Sequence, residues 1–141
     1  MSGILTVNVD GIPVPQGSMV RTNYGMRHSK PEAIALFRSQ VGIAVRDAAE
    51  KQGVLLPLEG ALMLSATFVL PRPKSAPKRR IWPTVKPDND KLLRSLCDAL
   101  TQCGAWGDDA QVVEMLAGKR YTGQDPAMPL PGTRFTVQVI A

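Results

Sequence analysis

Residues 85–112 read VKPDNDKLLRSLCDALTQCGAWGDDAQV. At 100° per residue, Leu92, Leu93, Leu96, Cys97 and Leu100 fall on one face, and Asp90, Lys91, Arg94, Ser95 and Asp98 on the other. That spacing predicts an amphipathic helix. Asp88 or Asn89 is its natural N-cap and Gly104 its natural stop. The same stretch gathers four carboxylates, Asp88, Asp90, Asp108 and Asp109, in a chain whose formal net charge is +5.

On both sides the pattern changes from helical to extended. Upstream, residues 61–70 (ALMLSATFVL) are a β-rich run; downstream, 110–121 and 133–141 read as two more strands joined by the loop 122–132. Between the first run and the helix lies PRPKSAPKRRIWPTVKP, with five prolines and six cations: Arg72, Lys74, Lys78, Arg79, Arg80 and Lys86. Proline removes donors and the clustered charges need water or counter-ions, so this is a basic, semi-extended loop. Read instead as an interdomain linker, it would leave two halves too small to fold comfortably.

Near the N-terminus, ILTVNVDG alternates, with Leu5, Val7 and Val9 facing one way, as a half-buried strand does. Residues 11–30, broken by Pro13, Pro15, Gly17 and Gly25, read as a loop carrying Arg21, Arg27, His28 and Lys30. A helix over 29–53 follows, with a capping-box spacing at Ser29 and Glu32 and a stop at Gly53. Its apolar face is Ile34, Phe37, Val41, Ala44, Val45 and Ala48, and Gly42 inside it points to a close packing contact. The order β-α-β-α-β-β predicts an α+β fold, a single domain over 1–141, with two main helices packed on a mixed or antiparallel four-stranded sheet.

Bulk properties bound the function. A chain of 141 residues with 44% hydrophobic content needs no disulfide or zinc staple. A pI of about 9.6 favours polyanionic partners, nucleic acid first. No apolar stretch is long enough to span a bilayer, and MSGILTVNVDG lacks the basic-then-apolar order of a signal peptide. Cys97 and Cys103, spaced C-x5-C with His28 far away, match neither a zinc pattern nor a disulfide framework. Cys97 reads as a core thiol, and a reducing cytoplasm is the expected compartment.

Asp88 and Asp90, two residues apart in an extended lead-in, point to the same side, at a helix N-terminus that favours negative charge. Gathered carboxylates repel unless a cation joins them. Mg²⁺ takes oxygen ligands, often one or two carboxylates with waters and substrate phosphate. A metal so held stabilises the charge that develops in phosphodiester cleavage. Basic groups that attract a polyanion and an acidic site that holds a metal together describe a nuclease. Spacing leaves a plainer assignment open: Asp88 as a cap, Asp90 paired with Arg94, and Asp108-Asp109 as a turn.

The combined string KPDNDKLLRSLCDAL with WGDDAQVVE resembles the RusA family of Holliday-junction resolvases, endonucleases of bacteria and their phages. The likeness covers D-x-D, the D-A-L at Asp98–Leu100 and W-x-D-D-A-Q-V from Trp106 to Val112, and the order of elements fits nearly the full length. It implies a homodimer that binds four-way DNA junctions and cuts two strands symmetrically with Mg²⁺ or Mn²⁺, in recombination and repair, in a bacterial or phage-infected cell. Asp88, Asp90 and Asp109 then stand at the catalytic, metal-binding positions, with Asp108 beside them. Arg94 stands where the family prototype has a functional lysine, and Lys91 lies one turn earlier on the same face. Arg72, Lys74, Lys78, Arg79, Arg80 and Lys86 would track DNA backbone. Trp82 could stack on bases, and Trp106 is expected to pack against the helix end. The competing readings are a non-catalytic nucleic-acid-binding protein using the same basic surface and a small metal-dependent phosphohydrolase acting on nucleotides.

Overall fold

A computed structural model describes residues 3–17 and 31–141, and the backbone of 19–22 and 25–28. Strand β1 (Ile4–Asp10) is followed by two short strands, β2 (Met19–Thr22) and β3 (Gly25–His28), then helix α1 (Pro31–Gln52). Strand β4 (Leu62–Leu70), helix α2 (Asn89–Cys103), a 3₁₀ turn (Asp109–Gln111), β5 (Val112–Tyr121) and β6 (Gly132–Val139) complete the chain. The main sheet has the order β1-β6-β4-β5; β6 is antiparallel to both its neighbours, and β4 and β5 run parallel. The expected mixed four-stranded sheet with two helices is therefore what forms. Among the described residues, no helix is long and apolar enough to cross a membrane.

One expectation needs correcting. Residues 11–30 are not loop throughout: β2 and β3 pair antiparallel, from Met19 opposite His28 to Thr22 opposite Gly25. The breakers Pro13, Pro15 and Gly17 all precede the hairpin, and strands of four residues are too short to show a period. The side chains of Arg21, Arg27, His28 and Lys30, and the capping residue Ser29, lie outside the described residues.

The core lies between the sheet and the two helices. Leu5, Val7, Leu62, Leu64, Phe68, Phe135 and Val137 of the sheet meet Phe37, Val41 and Val45 of α1 and Leu92, Leu96 and Leu100 of α2. On α1 it is Ala49 that is buried, with Ala44 and Ala48 half-buried beside it. A Cβ on Gly42 would lie 3.2 Å from Cys103 Cβ, so the glycine does mark the close approach of α1 to α2. Ser95, expected on the polar face, is wholly buried, and Leu93 is only half-buried. Because α2 packs against α1 as well as β5, its buried arc is wider than one sheet-facing stripe.

Parallel strands need a crossover connection, and here the basic loop and α2 supply it. This topology sets the first turn of α2 beside the C-terminal ends of β4 and β5. Asp88, Leu70 and Tyr121 accordingly line one cleft.

Candidate active site

Asp88 occupies the N-cap position of α2 with extended backbone (φ −70°, ψ 141°), yet its side chain makes no capping hydrogen bond. Its Oδ2 lies 3.9 Å from Lys91 Nζ, with both side chains about half exposed. Asn89 points inward and donates from Nδ2 to the Ala117 carbonyl of β5 at 2.9 Å, which ties the helix start to the sheet. Asp90 is exposed, and so is Arg94. Ion pairs among the described residues are Arg38–Asp98, Lys51–Asp47 and Lys91–Asp88, so the Asp90–Arg94 pair of the plainer assignment does not form. Asp88 makes no cap bond and is engaged only by Lys91 three residues on, and Asp90 makes neither a cap bond nor the i+4 pair.

The W-G-D-D-A-Q segment is built differently. Trp106 is buried and donates from Nε1 to Thr101 Oγ1 at 2.7 Å, against the end of α2 as expected. Asp108 is a working cap, its Oδ1 accepting from Ala110 N at 2.9 Å. Gln111 Oε1 completes the capping box by accepting from Asp108 N at 3.0 Å. Gln111 Nε2 donates to the Leu58 and Gly60 carbonyls at 3.2 and 3.1 Å. Asp108 is thus engaged in the turn, while Asp109 stands exposed.

The pKa of Asp109 is raised, first by a side-chain hydrogen bond with Asp108, then by partial desolvation and by the negative charges of Asp108 and Asp98. Asp98 itself pairs with Arg38 of α1 at 3.5 Å. Burial, with Asp109 and Asp98 adding to it, pushes the Cys97 thiol up to about 11, so Cys97 is the inert core thiol its spacing suggested. Asp109 therefore lies by the middle of α2, near Asp98 and Cys97. Among the described residues, no group of three or more His, Cys, Asp or Glu side chains could hold a metal ion. Only Asp88 has the extended backbone expected of the D-x-D lead-in; Asp90 lies in the first turn of α2, so the alternation that would set both carboxylates on one side does not apply, and Asp109 is not added to them.

In the basic loop, Lys74, Lys78, Arg79 and Lys86 are exposed and Arg80 is half-buried. Arg72 is partly engaged within the loop, donating from Nη2 to the Pro77 carbonyl at 2.6 Å, with its guanidinium 5.6 Å from the Tyr121 ring centre. Two cations that sequence reasoning passed over fasten this loop to β5. Lys119 Nζ donates to the carbonyls of Val85 and Pro87, each at 2.9 Å, and the Arg120 guanidinium lies 4.6 Å over the Trp82 ring. Trp82 remains about half exposed. Both contacts depend on where the crossover lays the loop against β5, which local spacing does not record.

A comparison with curated proteins finds no match. The family model "Endodeoxyribonuclease RusA", in contrast, matches residues 10–129 of the 141. That span contains the crossover loop, the D-x-D start of α2 and the capped D-D turn, and on it the chain belongs to the RusA family of endodeoxyribonucleases.

Proposed function

We propose that this chain is one nuclease domain over 1–141 that resolves four-way DNA junctions with Mg²⁺ or Mn²⁺, as a homodimer. It would act in DNA recombination and repair, in the cytoplasm of a bacterial or phage-infected cell. The observation that carries this reading is the state of Asp88 and Asp90. Both stand at the N-terminus of a crossover helix beside a loop of exposed cations, and neither is consumed by a cap bond or an i+4 pair.

Two carboxylates suit a hard cation that completes its shell with water and phosphate oxygens. Asp88 and Asp90 would hold it; when bound, it supplies an activated water and charge neutralisation at the scissile phosphate. Lys91, 3.9 Å from Asp88, is a cation already at the site and available to the phosphate. Arg94, exposed three residues on, presents a second. Lys74, Lys78, Arg79 and Lys86 would bind backbone phosphates independently of sequence.

The position of Asp109 supports a dimer. β5 is an edge strand, and Val113, Met115 and Leu116 on it are about 60, 49 and 72% exposed. A bare apolar edge is a ready template for a further strand. Asn89 covers the Ala117 carbonyl and Arg120 the Lys119 carbonyl, so the C-terminal half of this edge is taken and the half around Met115 is open. A second copy pairing antiparallel there would bring the partner subunit's Asp109 to the end of β5 where Asp88 and Asp90 stand.

Incubation with a labelled four-way junction tests the function. Cleavage should need Mg²⁺ or Mn²⁺ and stop in EDTA, while binding continues without metal. Undiminished cutting in EDTA rules the mechanism out. Binding without cutting in either metal leaves the non-catalytic alternative.

A further inference from the structure

The backbone that presents Asp88 is fastened to β5 on both sides of that residue. Lys119 Nζ donates to the carbonyls of Val85 and Pro87, each at 2.9 Å. Asn89 Nδ2 donates to the Ala117 carbonyl, also at 2.9 Å. The anchored residues 85, 87 and 89 alternate along the lead-in, and their partners 117 and 119 alternate along the strand. Asp88 falls between two anchors, one residue after the Pro87 carbonyl and one before Asn89. Its own side chain is left open, with no cap bond and an ion pair to Lys91 at 3.9 Å. Residues 71–87 form neither helix nor strand, so no backbone ladder holds this lead-in. An ammonium shared by two carbonyls holds it instead, through charge-assisted bonds that are stronger than neutral ones.

Resting on the nuclease reading, we propose that Lys119 is a positioning residue: through the Val85 and Pro87 carbonyls it fixes the backbone at Asp88, so that the Asp88 carboxylate is held where it can bind the metal ion. Asn89 secures the other side. Lys119 touches neither metal nor DNA in this role. A functional side chain needs support that keeps it within about 0.5 Å of its productive place, and losing such outer support costs about 10–100-fold in metal affinity. Lys119 is half-buried and spends two of its three donors on carbonyls, which suits a support better than a phosphate contact. The sign of one effect separates the two roles. A cation close to a metal site repels the metal, so removing Lys119 would tighten metal binding if its charge were all that mattered. If Lys119 holds Asp88 in place, its removal weakens metal binding instead.

The test uses the full chain. Mn²⁺ binding is followed without DNA by the electron paramagnetic resonance signal of the free ion, and junction cleavage is measured in parallel. Lys119→Met keeps the apolar stem and removes the donors. Its Mn²⁺ affinity should fall about 10–100-fold, and the Mn²⁺ concentration that half-saturates cleavage should rise by a similar factor. Without metal, amides around Asp88 should exchange hydrogen faster while those of β4 and β6 hold. Junction binding in EDTA should keep its salt slope. Asn89→Leu drops the second anchor and should shift Mn²⁺ affinity the same way. Should Lys119→Met not fold, Lys119→Arg keeps the charge without the compact ammonium, and its Mn²⁺ affinity should still fall. Unchanged or tighter Mn²⁺ binding in the Lys119 variant overturns the proposal; a salt slope lower by about 1 alongside it makes Lys119 a phosphate contact. Faster exchange across the whole sheet, with a thermal midpoint lowered to match, makes it a stability residue and overturns the proposal equally. A wild type that neither binds Mn²⁺ nor cuts a junction ends the nuclease reading and this proposal with it. A wild type that does both, matched by Lys119→Met, ends the proposal alone.

Discussion

Asp88, Asp90, Asp108 and Asp109 are the same residue type in two short motifs, and the structure gives them different work. Asp108 caps a turn, Asp88 sits against Lys91, Asp90 is unpaired among the described residues, and Asp109 bears the repulsion of its neighbours. Asp90→Asn keeps the shape and removes a charge, so cleavage should collapse while junction affinity holds or rises; full activity would mean that D-N-D is only a helix start. Arg94→Ala and Lys91→Ala separate the two cations. The one that clamps the scissile phosphate should cost about 10²-fold in turnover, the scale of losing one preorganised stabilising donor, and the other should change mainly the salt slope of binding. Asp109 carries a prediction with a definite sign. Its pKa is raised on folding, so its ionised form destabilises the native state, a penalty present above the folded pKa and absent below the unfolded one. Without metal, Asp109→Asn should melt above wild type at pH 7, and the gap should close as pH falls below the ordinary carboxylate range. An equal or lower midpoint at pH 7 would show that the repulsion is relieved in solution.

At the scale of elements, α2 was legible because its apolar residues recur at 3.6-residue spacing and both its ends carry stop signals. The alternation of β1 was equally plain. The β2–β3 hairpin was not, since four-residue strands offer no period to read. Ser95 was assigned to the wrong face for a related reason: periodicity finds the direction of one neighbour, and α2 has two. Gly42 was legible as a contact but not as a contact with Cys103. Gly42→Leu should force α1 from α2 and lower stability by about 1–3 kcal/mol, as overpacking does. Denaturant melts would show this as a lower midpoint; an unchanged midpoint would mean that the interface yields freely.

Across the whole molecule, a dimer joined at β5 should sediment at about twice the 15.2 kDa chain mass. Mixing Asp90→Asn with Asp109→Asn tests the shared site directly. If Asp109 acts on the partner's side, each mixed dimer has one intact site, so about a quarter of wild-type sites should return after equal mixing, as nicks. If all three acids act within one chain, mixing restores nothing. The sequence by itself determined the two helices and the four strands of the main sheet, the basic loop, the acidic motifs and the family resemblance, because period, caps, breakers and charge are local properties of the chain. Tertiary structure alone decided that β4 and β5 run parallel, and that Lys119 and Arg120 fasten the loop beside the cleft. It alone placed Asp109 by the middle of α2, near Asp98 and Cys97, rather than at the helix start with Asp88 and Asp90. These depend on register and crossover, which bring together groups dozens of residues apart and which no local spacing records.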